Sequence, residues 1–141
     1  MTTINKLSDD ISACAQIFPE HIDFIQSSGF KSIICNRPDM EKPGQPFAGD
    51  IEKHAKDAGL SYIHIPMRPG QLTQEIIEAM RTAFETAPKP ILIHCASGTR
   101  SAMLWSFIHV KELGVDGVLA ATGNAGFDLE KIRPALVQFS D

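Results

Sequence analysis

The sequence predicts a single α/β domain over residues 1–141, with a mostly parallel central sheet flanked by helices. Three observations carry that prediction. Short apolar runs at Ser32-Ile33-Ile34-Cys35, Tyr62-Ile63-His64-Ile65 and Ile91-Leu92-Ile93 have strand length and β-branched content. Between them lie stretches with apolar residues at helical spacing, such as Ile76, Ile77, Met80 and Phe84. Strands that alternate with helices need crossover connections, which place them parallel and cover both faces of the sheet.

Each element follows from local signals. Ile4 to Gln16 reads as two short strands turning at Asp9-Asp10. Pro19-Glu20 opens a helix that stops near Gly29, with Pro early and Gly late as helix ends prefer. Lys31 to Asn36 is a strand, and the following loop to Pro46 is dense in Pro and Gly. Ala48 to Ala58 forms a helix closed by Gly59, and Ser61 to Ile65 another strand. Thr73 caps the next helix, which Pro88 and Pro90 end before the strand at Ile91. A central helix runs to a C-cap at Gly114. Two further helical pieces are separated by Gly123-Asn124-Ala125-Gly126, with Asp128 read as an N-cap and Pro134 as a kink or break in the last helix.

Size and charge narrow the function. A chain of 141 residues can bury one ordinary core. The formal net charge of −4 gives nucleic-acid binding no global support, so any anionic ligand must be drawn to a local positive site. No apolar run approaches bilayer length, and Met1 to Asp10 lacks a basic-then-apolar signal. Three cysteines, an odd number, point to reduced thiols and a cytoplasmic home. The five histidines form no ligand pair at helical or turn spacing, so neither a metal nor another cofactor is expected. Nothing in the sequence sets an oligomeric state.

In open α/β sheets, ligands bind outside the carboxyl ends of the strands. That rim holds Arg37, Asp39, Glu41, Lys42, Arg68, Gln71, Cys95 and Arg100, a positive cluster on an acidic protein. Pro90 to Ser101 (Pro-Ile-Leu-Ile-His-Cys-Ala-Ser-Gly-Thr-Arg-Ser) is its centre: a strand ending in His94-Cys95, a small-residue loop, then a helix opened by Arg100 and Ser101. Free amides and partial positive charge at a helix N-terminus favour a thiolate, and an arginine adds a permanent charge. The same amides can cradle an oxyanion. Cys14 and Cys35 lie in apolar stretches without a basic helix start beside them and are read as packing.

His-Cys-x-x-Gly-x-Arg-Ser at a strand end resembles the phosphate-binding loop of the cysteine-dependent tyrosine and dual-specificity phosphatases. From about Ile11 to the C-terminus the chain is similar to one branch, the small bacterial phosphatase-like family found fused to metallo-β-lactamase-type hydrolases. The segments that carry this are Gly29-Phe30-Lys31-Ser32-Ile33-Ile34, Asn36-Arg37-Pro38-Asp39-Met40-Glu41, Tyr62-Ile63-His64-Ile65-Pro66, Leu104-Trp105 and Ala125-Gly126-Phe127-Asp128-Leu129. Asn124-Ala125-Gly126-Phe127 also resembles the Asn-x-x-Phe segment that supports the loop in dual-specificity enzymes. The resemblance implies that Cys95 attacks phosphorus and that Arg100 and the amides of Ala96, Ser97, Gly98, Thr99 and Ser101 bind the equatorial oxygens. Ser101 would hydrogen-bond the sulfur and His94 would orient the loop. Apart from the resemblance, Arg37 on the same rim is read as helping to attract a phosphorylated or other anionic substrate.

Two departures stand out. Phosphatases of this type have five residues between Cys and Arg, whereas Ala96, Ser97, Gly98 and Thr99 make four, the loop length of rhodanese-like sulfurtransferases. The usual general-acid Asp, on the loop after the preceding strand, is missing, since no carboxylate lies between Ser61 and Gln74. Asp39, or Glu41 beside it, is the expected substitute. The expected function is a phosphatase-like hydrolase working through a phosphocysteine. The competing readings are a sulfurtransferase or sulfur carrier with a Cys95 persulfide, and a non-catalytic anion-binding module.

Overall fold

Five short strands make one sheet in the computed structural model, which describes residues 3–141. They are β1 (Asn5–Lys6), β2 (Ile11–Cys14), β3 (Ser32–Cys35), β4 (Ser61–His64) and β5 (Ile91–His94). Their spatial order is β1-β2-β5-β3-β4, with only the β1–β2 hairpin antiparallel. The strand that delivers the cysteine thus lies at the centre of the sheet, and its register aligns Cys14, His94, Cys35 and His64 in one row across four strands.

Side chains alternate across the strands, and the helices cover both faces. Ala13, Ile34, Ile91 and Ile93 face one side, under α3 (Gln74–Thr86), α4 (Thr99–Asn124) and α5 (Arg133–Ser140). Cys14, Ile33, Cys35 and Leu92 face the other, under α1 (Ile22–Ser27) and α2 (Ala48–Asp57). Burial pushes the Cys14 thiol up to about 12 and the Cys35 thiol up to about 11, which leaves both neutral and inert at ordinary pH. They are packing, as their apolar surroundings in the sequence predict.

The local signals are visible in the elements. Thr73 Oγ1 accepts the Ile76 N–H at 3.2 Å and caps α3. At Gly114 the backbone turns to φ +79°, which divides α4 into residues 99–113 and 115–124. Pro134 kinks nothing. It lies in the first turn of α5, where a missing N–H costs no hydrogen bond, and a 3-10 turn at Glu130–Ile132 precedes it. Asp128 caps that turn in a loose sense, its Oδ1 accepting the Glu130 N–H at 3.2 Å.

Candidate active site

The loop from Cys95 to Arg100 leaves the carboxyl end of β5 and enters α4, with Gly98 as the N-cap. Gly98 has φ +96°, a conformation that glycine adopts without a Cβ penalty. A Cβ there would lie 2.8 Å from the Phe127 ring and 3.2 Å from the Cys14 carbonyl oxygen. Phe127 therefore backs the loop, which is the support expected of the Asn124-to-Phe127 segment. The turn brings the Gly98 N–H to 3.1 Å from the Cys95 Sγ. Thr99, Arg100 and Ser101 form the first turn of α4, where amides have no intrahelical acceptor. The Thr99 N–H is met by the Ser97 Oγ at 3.4 Å, while Ser97 Oγ donates to Thr99 Oγ1 at 3.0 Å. Cys95 itself has no exposed surface, so the four-residue loop closes tightly about its sulfur.

Arg100 is held from one side. Its Nη1 and Nη2 donate to the two oxygens of Glu41, each at 2.8 Å, and Nη1 also donates to the Met67 carbonyl at 2.8 Å. A guanidinium carries five N–H groups in a planar fork. Three are used here, and the Nε–H has no acceptor among the described residues. The Nε–H and the remaining Nη2–H share the opposite edge, which suits two oxygens of a tetrahedral anion. The hydrogen bonds to the Glu41 carboxylate raise the Arg100 pKa above the ordinary arginine value.

Glu41 also accepts from Arg37 Nε at 2.9 Å, and Arg37 Nη1 donates to Gln16 Oε1 at 3.1 Å. The hydrogen bond from Arg100, with that from Arg37, holds the Glu41 carboxyl below the usual carboxylate range. Glu41 is thus an ionised bridge between two arginines and has no proton to give at neutral pH.

Asp39 is taken up elsewhere. Its Oδ1 accepts the Ala48 N–H at 2.8 Å at the start of α2, and no hydrogen bond joins it to Cys95 or Arg100. The loop after β3 therefore turns Glu41, not Asp39, toward the Cys95–Arg100 loop. Ser101 also departs from expectation. Its single hydroxyl proton goes to Asn36 Oδ1 at 2.8 Å rather than to the sulfur. His94 is fully buried, and burial pushes its pKa down to about 4. Its Nδ1 lies 3.4 Å from the Cys95 carbonyl, which can only accept, so the neutral ring carries its proton there. The Nε2 has no partner among the described residues.

Asn36 is the residue that motif reading undervalues. Fully buried, it donates from its backbone to the His94 carbonyl at 2.8 Å and accepts from the Met67 N–H at 2.9 Å. Its Nδ2 donates to the Ile65 carbonyl at 3.0 Å, while its Oδ1 takes Ser101. One residue, through backbone and side chain together, thus ties β3, β5, the loop after β4 and the start of α4. The available signal was an amide placed directly after the apolar run of β3. Among the described residues, no group of three or more His, Cys, Asp or Glu side chains is arranged to hold a metal ion.

A buried cysteine closing the central parallel strand, a glycine-turned anion loop and an arginine on the next helix define the class of cysteine-dependent phosphatase-type domains. Within that class, the chain belongs to the family described as "Beta-lactamase hydrolase-like protein, phosphatase-like domain", whose model matches residues 3–111. It is 38% identical over 116 residues to a beta-lactamase hydrolase-like protein of Xylella fastidiosa (strain Temecula1 / ATCC 700964), covering 78% of this chain and 26% of the relative. A protein of the same description in Agrobacterium fabrum (strain C58 / ATCC 33970) is 32% identical over 100 residues, covering 71% and 23% respectively. The chain thus spans about a quarter of the curated relatives it matches. A crystal structure described as a candidate phosphatase from Neisseria meningitidis Z2491 superposes with a TM-score of 0.89 at 30% identity, over 96% of this chain and 97% of that one.

Proposed function

We propose that residues 1–141 act as one cysteine-dependent phosphomonoesterase of the tyrosine and dual-specificity type. Cys95 Sγ attacks phosphorus while the ester oxygen leaves. Water then attacks the phosphocysteine, releasing phosphate and restoring the thiolate. The amides of Ala96 to Ser101 and the free edge of Arg100 bind the three equatorial oxygens, because phosphoryl transfer depends on positioning and charge stabilisation. The observation that carries this reading is the Gly98 N–H aimed at Sγ at 3.1 Å beside a guanidinium gripped on its far edge only. Family membership and the Neisseria neighbour support it. The substrate is a phosphorylated, anionic molecule. Among the described residues no helix is long and apolar enough to cross a membrane, and three free cysteines support a reducing, cytoplasmic setting.

A sulfurtransferase reading is favoured by two features, the four-residue loop between Cys95 and Arg100 and the missing carboxylate on the loop after β4. A side-by-side assay of aryl phosphate hydrolysis and thiosulfate-to-cyanide sulfur transfer separates the two. Phosphate release that disappears in Cys95→Ser, with the fold kept by circular dichroism, supports the phosphatase. Turnover surviving in Cys95→Ser refutes both enzyme assignments, and sulfur transfer alone refutes the first.

A further inference from the structure

Beside the catalytic loop runs a cleft of about 310 Å³, lined by Gln16, Phe18, Arg37, Lys42, Gln45 and Ala96 among others. Ala96 directly follows the nucleophile, so the cleft opens onto the first residue of the loop. None of its walls is a carboxylate. Glu41, the nearest negative group in sequence, is turned to Arg100 and Arg37 and lines the far side of its loop instead.

Arg37 is a fixed cation in this wall. Its side chain is only 10% exposed, and it is clamped through Nε by Glu41 and through Nη1 by Gln16. Gln16 is itself anchored by its Nε2, which donates to the Ile17 carbonyl at 2.7 Å. The Arg37 Nη2 has no acceptor among the described residues and is not among the buried unpaired atoms, and Arg37 is one of the residues that line the cleft. Lys42, exposed and without an ion pair among the described residues, adds a second positive charge to the same walls. A positioned guanidinium binds an oxyanion with little further loss of side-chain freedom. With Arg37 ion-paired to Glu41, Lys42 is the positive charge of this wall without an ion pair among the described residues. A cleft that holds it and is lined by no carboxylate is a local field for anions on a protein of net charge −4.

We propose that this cleft is a second anion subsite, and that the substrate is a phosphomonoester carrying another phosphate or carboxylate on the same molecule. This inference rests on the phosphatase reading and names its substrate class. The reacting phosphate occupies the loop closed by Arg100, and the second anionic group reaches Arg37 and Lys42.

The test is calorimetric titration of Cys95→Ser with phenyl phosphate, 3-carboxyphenyl phosphate and benzene-1,3-diyl bisphosphate. The expected result is at least tenfold tighter binding of the bisphosphate than of phenyl phosphate, with the carboxylate between them. Adding Lys42→Gln should cut that ratio to below threefold, and Lys42→Glu should remove it. Equal affinities for the three compounds overturn the subsite, as does a preference that survives both Lys42 substitutions. Wild-type turnover of phenyl phosphate reads the phosphatase assignment separately. Turnover without any preference sinks the subsite alone, whereas a binding preference without turnover sinks the phosphatase and leaves the subsite standing.

Discussion

Gly98 shows how much one residue is asked to do in this loop. Its left-handed backbone brings its own amide to the sulfur, and its missing side chain lets the Phe127 ring and the Cys14 carbonyl close in. Gly98→Ala should lose about 1–3 kcal/mol to backbone strain alone. Displacement of the sulfur-directed amide should lower turnover roughly a hundredfold. Urea unfolding and aryl phosphate kinetics check both, and wild-type values in either would refute the assigned geometry. His94 carries a pH signature. The unfolded chain protonates this histidine near 6.5, while the buried ring resists until about 4. Its contribution to stability is therefore complete above pH 6.5 and is lost progressively as pH falls to 4, by roughly 3 kcal/mol. Urea midpoints across that window should slope in wild type and flatten in His94→Gln. The Glu41 bridge acts in a separate, lower window. Its carboxyl is held down in the fold, so its stabilisation is complete above the ordinary carboxylate range and is lost progressively as pH falls from that range through the depressed value.

At the scale of the element, the loop between β3 and α2 divides two carboxylates by partner. Asp39 supports a helix start and Glu41 bridges two arginines, so neither is placed to protonate a leaving group. The loop after β4 holds no carboxylate. Across a series of aryl phosphates, log kcat/KM should therefore fall steeply as the leaving group becomes more basic. Asp39→Asn and Glu41→Gln should each shift the whole series by one common factor. A loss confined to the poorest leaving groups would identify that residue as a general acid after all, an effect commonly worth about 10²- to 10⁴-fold. Asp39→Ala should also cost about 1 kcal/mol of stability through the lost cap.

Over the whole molecule, the Cys95–Arg100 loop depends on chain far from it in sequence. Phe127, Leu129 and Leu136 belong to the same buried cluster as Ile91 and Ile93, and all three lie beyond the 3–111 segment that the family shares. Removing residues 125–141 should leave the α4 face bare and the Gly98 turn unsupported. We expect a chain without cooperative thermal unfolding and without activity. A sharp melting transition in that truncation would show that the C-terminal helix is an accessory.

The order of strands and helices, the sheet's parallel character and the strand–loop–helix that presents Cys95 were legible in the residues, because they rest on periodicity, caps and short-range spacing. That Cys14 and Cys35 would be packed into the apolar interior also followed from their immediate neighbours. What only the tertiary structure decided was partnership across distance. Whether Asp39 or Glu41 met Arg100, where the Ser101 proton went and that Asn36 would knot four segments together depend on how loops from different strands converge on one rim. Side-chain hydrogen bonds across 59 and 65 residues leave no trace in local pattern, because each donor there has several acceptors of equal chemical merit until the sheet brings one of them within 3 Å.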